Sequence, residues 1–143
     1  MPDKLRGRCN CGTMTAEFAG PPVQTRQCWC RQCRTLAAGG PTHNAIFNTS
    51  DVTLSGDPRS WSYVAASGNT LTLAFCAQCG TPVFAQSSAR PHFMTFRFGF
   101  FDEGHGLAPE MVIWTDEKPT WAVLDPTLPT YSKQPPTPVP PQA

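Results

Sequence analysis

The sequence predicts a mainly β protein that forms a single domain. Its apolar residues alternate with polar ones, or form short runs broken by Gly, Pro, Asn and Asp, which is typical of strands. No extended window carries the apolar stripe of an amphipathic helix. A chain of 143 residues is long enough for one hydrophobic core, since domains typically have ~100–150 residues.

Strand-like segments follow one another along most of the chain. The SGN turn at residues 67–69 predicts a hairpin between two of them. The helical candidate is one short turn near residues 31–38, which is ended by Gly39, Gly40 and Pro41. The predicted strands cover residues 13–18, 23–28, 45–48, 52–55, 61–65, 71–75, 82–85, 92–101, 111–115 and 121–124.

The last part of the chain has a different composition. Residues 126–143 contain seven prolines, which lack the backbone N–H that a sheet needs. This segment is therefore expected to be extended and to stay outside the sheets. The predicted organisation is one β domain over residues 1–125 followed by a Pro-rich tail over residues 126–143.

Charge and hydropathy limit the partners that we expect. No apolar run approaches the ~20 residues of a membrane span, and the first residues lack the apolar segment of a signal peptide. The net charge is +1, and Lys and Arg are scattered singly rather than grouped in a basic stripe. We therefore expect a cytoplasmic protein that binds neither membranes nor nucleic acid.

Seven cysteines in three clusters predict metal binding. Cytosolic thiols stay reduced, and an odd number cannot all pair as disulfides. In a strand, residues i and i+2 share a face, so a CxC motif presents two thiolates side by side. Thiolates suit zinc best, although iron–sulfur clusters also use them. The clusters are Cys9 and Cys11; Cys28, Cys30 and Cys33; and Cys76 and Cys79, the last followed by Gly80.

Seven ligands divide most simply into one closed four-sulfur site and one open three-sulfur site. The spacing leaves two partitions. Cys30 and Cys33 could join Cys76 and Cys79 as a pair of CxxC knuckles. Alternatively, the Cys28, Cys30 and Cys33 segment could wrap an ion from three sides, which leaves Cys9, Cys11, Cys76 and Cys79 as the closed site; we prefer this second partition.

The cysteine motifs and the segments around them resemble a known family. The segments are GRCNCGTM, CWCRQCR followed by Gly39 and Gly40, FCAQCGTPVF, FRFGFFD, and IWTDEKPTW leading to LPTY. They span roughly residues 7–131 in the family's order, and they identify the chain as similar to the glutathione-dependent formaldehyde-activating enzyme family, which includes the centromere protein V domain.

The resemblance implies a fold of several small coiled antiparallel sheets held together by zinc, similar to peptide methionine sulfoxide reductase B and certain Rab exchange factors. It implies two zinc ions per chain. Cys9, Cys11, Cys76 and Cys79 would hold structural zinc, and Cys28, Cys30 and Cys33 a more labile zinc in the active site.

The activity that the resemblance implies is that of a carbon–sulfur lyase. The family's reaction is the reversible condensation of formaldehyde with glutathione to S-(hydroxymethyl)glutathione. An open zinc position could bind the thiol sulfur or polarise the aldehyde oxygen, and the sequence leaves both open. Family members often carry His where this chain has Trp29 and Val112, so a His-dependent step at these places is excluded.

Several other side chains are candidates for the site or for the core. Arg31 and Arg34 are the nearest partners for substrate carboxylates. Arg97 either faces outward from its strand or contacts a ligand, and His43 is the candidate fourth metal ligand. Trp29 is expected to wall the pocket or to pack beneath it. The tryptophans expected to fill the core are Trp61, Trp114 and Trp121.

Two other functions remain open at this point. One is a non-catalytic zinc-stapled binding module, for which the centromere protein V branch offers a precedent with chromatin. That function would predict basic extensions, whereas this chain ends in a neutral Pro-rich segment. The other is a dithiol redox switch at CWCRQC, since a metal-free CxxC can cycle to a disulfide.

Overall fold

The computed structural model describes residues 4–138, which form two packed β-sheets and one short helix. Strand positions agree well with the alternating pattern, so the mainly β prediction is confirmed. The elements are β1 (Leu5–Arg8), β2 (Thr15–Phe18), β3 (Gln24–Cys28), α1 (Arg31–Leu36), β4 (Thr42–Asn48), β5 (Val52–Ser55), β6 (Pro58–Val64), β7 (Thr70–Cys76), β8 (Pro82–Ser87), β9 (Phe93–Arg97) and β10 (Val112–Ile113).

The two sheets differ in size. The small sheet has the order β1-β2-β5, and the large sheet has the order β10-β3-β4-β9-β8-β7-β6. Neighbouring strands are antiparallel except β10, which pairs in parallel with β3. The hairpin expected at residues 67–69 joins β6 to β7, and the short helix lies where it is predicted. No helix in the described part of the chain is long and apolar enough to cross a membrane.

Three segments differ from the prediction. The sequence does not predict β1, because the inward positions of LRGR are one leucine and one glycine, which give only a weak apolar signal. The strand predicted over residues 92–101 ends at Arg97, and Phe98–Phe100 form a 3-10 turn. Residues 121–124 do not form a strand; Trp121 and Val123 are 67% and 91% exposed, so no burial supports one.

The hydrophobic core lies between the two sheets. Phenylalanines from both sheets meet there: the ring of Phe18 on β2 lies 4.3 Å from Phe47 on β4 and 4.9 Å from Phe96 on β9. Phe100 and Phe101 extend the cluster beyond β9. These large buried rings contribute most of the apolar area that holds the sheets together.

The tryptophans are distributed differently from the prediction. Trp61 is 54% exposed on the edge strand β6, where it stacks on Tyr63 with ring centroids 5.3 Å apart. Trp121 is also exposed and Trp114 is half-buried, so the expectation that these residues fill the core is wrong. Trp29 is buried, because its side chain points to the opposite face from the flanking cysteines and so into the protein.

Part of the Pro-rich segment pairs with a strand, contrary to expectation. The backbone N–H of Tyr131 donates to the carbonyl of Val112 (2.9 Å). The backbone N–H of Val112 in turn donates to the carbonyl of Pro129 (3.0 Å). Thr130 and Val112 thereby form a parallel bridge. Tyr131 lies between the prolines and has the backbone N–H that proline lacks, so the segment can pair with a strand. The division into residues 1–125 and 126–143 stays a prediction.

Gly7 sits where the small sheet meets the turn after β9, and we expect Gly7→Ala to destabilise the fold. A Cβ at this position would lie 2.6 Å from the Phe100 ring and from the Phe100 carbonyl oxygen. Overpacking of this kind costs about 1–3 kcal/mol in the free energy of unfolding, measurable by urea denaturation of the metal-loaded protein. Gly99→Ala is the matched control, since its Cβ would meet nothing within 4 Å. Equal stabilities of the two variants would contradict the packing described here.

Candidate metal centres and active-site groove

Four cysteines from two distant segments of the chain meet at the edge of the core. Cys9 and Cys11 follow β1, Cys76 ends β7, and Cys79 lies in the next turn; their four sulfurs are all within 4.8 Å of one another. The sulfurs of Cys11 and Cys76 are 3.7 Å apart although 65 residues separate them. Gly80 has a φ of +76°, which lets the chain turn tightly after the CxxC motif.

Hydrogen-bond donors surround this four-cysteine cluster. The backbone N–H of Met14 donates to the Cys9 sulfur (3.3 Å), and the N–H of Cys79 donates to the Cys76 sulfur (3.5 Å). The Thr81 hydroxyl and backbone N–H lower the pKa of Cys79 to about 5. Donors of this kind stabilise thiolates, so the donor set fits a closed site for a soft metal ion.

The second cluster is built by one short segment. Cys28 is the last residue of β3, Cys30 caps the N-terminus of α1, and Cys33 lies in the first turn of that helix. The three sulfurs are within 4.8 Å of one another, and the Cys30 sulfur accepts a hydrogen bond from the Cys33 N–H (3.3 Å). A strand that runs directly into a helix thus directs three thiols towards one point.

The three thiols differ in how readily they ionise. Hydrogen bonds from Cys28 and then Cys30, with the nearby charge of Arg97 and the Thr42 hydroxyl, lower the pKa of Cys33 to about 3. The same interactions with Cys30 and Cys33 raise the pKa of Cys28. A cluster that already stabilises one thiolate fits a metal ion, and three sulfurs leave a fourth position for another ligand.

The grouping agrees with one of the two partitions left open by the spacing. Cys30 and Cys33 are not brought to Cys76 and Cys79; within residues 4–138 the cysteines fall into one set of four and one set of three. Either set could hold a metal ion. No histidine or carboxylate joins the set of three in this part of the chain, so its fourth position is not supplied by such a side chain.

All three cysteines of the smaller set line a groove of about 510 Å³. The groove lies on the large sheet, on the face turned away from the phenylalanine core, and Ile46, Leu73 and Thr95 form part of its floor. Tyr63 reaches it from the edge strand β6, although β6 and β3 are separated by four strands in the sheet order. The large sheet therefore coils strongly enough to bring its two ends around one groove.

A row of polar side chains lies beside the cysteines in this groove. Arg26, Asn44 and Arg97 are directly opposite one another on β3, β4 and β9. Arg97 Nη1 donates to Asn44 Oδ1 (2.6 Å), and Asn44 Nδ2 donates to Thr42 Oγ1 (2.9 Å). The Thr42 hydroxyl in turn helps to lower the pKa of the Cys33 thiol. Arg97 thus faces the groove rather than solvent and belongs to the polar row beside the cysteine cluster.

The two arginines predicted from the sequence are placed differently. Arg31 lines the groove, and its backbone N–H donates to Glu117 Oε1 (2.7 Å). Arg34 does not line the groove; its Nε donates to the Trp29 carbonyl (3.1 Å). Sequence reasoning missed Arg26 and Arg90, which also line the groove. Arg26 could have been found, because it lies two residues before Cys28 in a strand and so shares its face.

The prediction of His43 as a fourth metal ligand is wrong. His43 is opposite Gln27 in the β3–β4 pair, on the face of β3 away from Cys28. Its Nε2 lies 3.0 Å from Gln27 Nε2, and Gln27 Oε1 accepts a hydrogen bond from the Trp29 indole (2.9 Å). These three side chains form a network beneath the cysteines, so Trp29 packs under the site and does not wall the groove.

The fold and the two clusters together define a small β protein built around cysteine sites suited to metal ions, one at the edge of the core and one open to a groove. The chain belongs to the glutathione-dependent formaldehyde-activating enzyme family, whose model matches residues 4–117. Members of this family are enzymes that act on formaldehyde with glutathione. The resemblance recognised in the sequence is thereby confirmed.

A solved structure resembles the fold. The crystal structure of a Rhodobacter sphaeroides protein, a Northeast Structural Genomics target, has a TM-score of 0.52 and 22% sequence identity, covering 73% of this chain and 91% of that chain. At this identity the likeness supports the fold alone. No curated protein matches the chain.

The environment of His43 predicts a measurable pH effect. Burial lowers the pKa of His43 from its ordinary value of 6.5, because a charged ring would lose hydration there. The unfolded chain then takes up this proton first, so stability should fall as the pH decreases from 6.5 towards the folded-state pKa. An NMR titration of the metal-loaded protein, with the signal assigned by His43→Gln, measures this. A midpoint at or above 6.5 would contradict the described burial.

Proposed function

We propose that the chain catalyses the reversible addition of a small thiol to an aldehyde and acts as a carbon–sulfur lyase when the adduct is cleaved. The family name supplies glutathione and formaldehyde as substrates, which would give S-(hydroxymethyl)glutathione. The observation that carries the proposal is the three-thiol cluster, because all of its cysteines line a groove large enough for a small peptide. The proposed location is the cytoplasm, where thiols stay reduced.

The cysteines act as ligands in this proposal rather than as covalent nucleophiles. Zinc held by Cys28, Cys30 and Cys33 would supply a Lewis acid with one open position and would favour ionised sulfur over thiol. The helix start and the strand end fix the three sulfurs relative to one another. Asn44 accepts a hydrogen bond from Arg97, and the positive charge of Arg97 helps to lower the pKa of Cys33.

The addition needs no oxidant or reductant. The substrate thiol loses its proton, and its sulfur forms a bond to the carbonyl carbon. The π electron pair moves to the carbonyl oxygen, which takes up a proton; cleavage is the reverse. Burial raises the pKa of Tyr63, so this phenol stays protonated in the groove, and we assign it a hydrogen bond to the developing oxyanion.

The proposal predicts two zinc ions of unequal affinity, one for each cluster. The closed site should resist a chelator that removes the open one, because four thiolates bind more tightly than three. Cys30→Ser keeps an oxygen to cap α1 but replaces a soft sulfur with a hard donor, so it should retain one zinc ion. Elemental analysis before and after chelation measures both.

Thr35→Ala on the exposed side of the same helix is the matched control and should retain both ions. A wild-type protein that binds a single, tightly held zinc ion would argue for the alternative of a non-catalytic zinc-stapled binding module. Loss of both ions from Cys30→Ser would show that the two clusters are not independent sites.

The proposal also predicts faster exchange between formaldehyde and glutathione. NMR exchange spectroscopy follows this reaction directly, and the rate without protein gives the background. The acceleration should disappear in Cys30→Ser and persist in Thr35→Ala, while zinc removal abolishes it and zinc addition restores it. Tyr63→Phe should lower kcat by about 10-fold or more, since it removes one donor to the oxyanion. No acceleration by zinc-loaded wild-type protein would refute the proposed reaction.

A further inference from the structure

The groove carries more positive charge than the chemistry at the cysteines requires. Its lining includes four arginines and a single acidic residue, Glu117, whose carboxylate already accepts the Arg31 backbone N–H. In the part of the chain that the structure describes, the ion pairs involve Lys4, Arg6 and Lys133 and none of the groove arginines. Three thiolates around a divalent ion would leave one excess negative charge, so the groove keeps a net positive charge from its arginines.

Arg26 shows most clearly that a partner is missing. Its Nη1 atom is buried and has no hydrogen-bond partner among residues 4–138. A buried guanidinium N–H without an acceptor is costly, and a bound anion would remove that cost. Arg26 shares a face of β3 with Cys28 two residues away, so the Cα atoms are about 7 Å apart at ~3.3 Å per residue.

Arg90 enters the same groove from the loop after β8. Arg26 and Arg90 therefore present two positive charges to one groove from different elements. Two like charges that face one groove favour an anion bound between them. Arg90 is itself held by the C-terminal segment, since its Nη1 donates to Thr137 Oγ1 (3.4 Å).

The C-terminal segment forms a wall of the groove near Arg90. Gln134, Thr137 and Pro138 line the groove, and Gln134 Oε1 accepts a hydrogen bond from the Trp114 indole (3.1 Å). These residues lie beyond the part of the chain that the family model matches, residues 4–117. They enclose the groove on the side where Arg90 enters.

We propose that Arg26 and Arg90 form a carboxylate-binding subsite that anchors the thiol substrate while its sulfur lies at Cys28, Cys30 and Cys33. The proposal rests on the proposed function and specifies its substrate class: small thiols that carry a carboxylate several ångströms from the sulfur. Arginine pairs with carboxylates through two parallel hydrogen bonds, which fixes orientation as well as affinity. Neutral and cationic thiols lack this anchor.

Binding of a thiol-free probe tests the subsite without relying on catalysis. The zinc-loaded full chain is titrated with S-methylglutathione and with its dimethyl ester by calorimetry. The free acid should bind at least about 10-fold more tightly than the ester. Arg26→Gln and Arg90→Gln should each weaken binding of the acid by about 10- to 100-fold and leave ester binding unchanged. Arg59→Gln is the matched control, because Arg59 is exposed on β6 outside the groove.

Several outcomes would overturn the subsite. These are equal binding of acid and ester by the wild type, no binding of the acid, or unchanged affinity in both arginine variants that retain zinc and the wild-type Tm. Inorganic phosphate at matched ionic strength should not displace S-methylglutathione. Equal binding of phosphate would show that the site takes free anions, which would overturn the carboxylate subsite. Carboxylate-dependent binding without formaldehyde exchange would refute the proposed reaction alone, whereas exchange without carboxylate dependence would refute the subsite alone.

Discussion

The contact between the loop after β1 and the turn after β7 is the constraint on which the rest of the structure depends. It brings Cys9 and Cys11 to Cys76 and Cys79, and so joins the small sheet to the large one at the edge of the phenylalanine core. Closing a loop of this length costs chain entropy, which contacts among four thiols, one of them exposed, do not repay. A metal ion bound by all four would repay it, because such binding contributes directly to folding.

The same strands serve the core and the groove, because each strand presents alternate residues to its two faces. On β4, Phe47 faces the core and Asn44 faces the groove. On β9, Phe96 faces the core and Arg97 faces the groove. Strand alternation thus couples the phenylalanine packing to the position of the polar row. The coil of the large sheet then brings Tyr63 from the far edge into the same groove as the cysteines.

Local features were predictable from the sequence, and features that depend on distant strands were not. The three-cysteine cluster lies within one segment, so its spacing already indicates its geometry. The four-cysteine cluster needs two distant segments to meet, and for that reason spacing left two partitions open. Arg90 and Tyr63 have no local signal, because the coil of the sheet brings them to the groove. Trp61 shows the limit of hydropathy, which cannot tell an edge strand from a central one.

The two clusters manage negative charge in different ways, and this difference explains where chemistry could occur. Three or four thiolates carry more negative charge than a divalent ion carries positive charge. Each site would therefore keep excess negative charge when the ion is bound. Backbone N–H groups and threonine hydroxyls disperse that excess in the four-cysteine cluster, which suits a site that never changes its ligands. The three-cysteine cluster has Arg97 beside it and further arginines in the same groove. Long-range positive charge of this kind can stabilise an additional anionic ligand as well as the resident thiolates, so it suits a site where a substrate sulfur comes and goes.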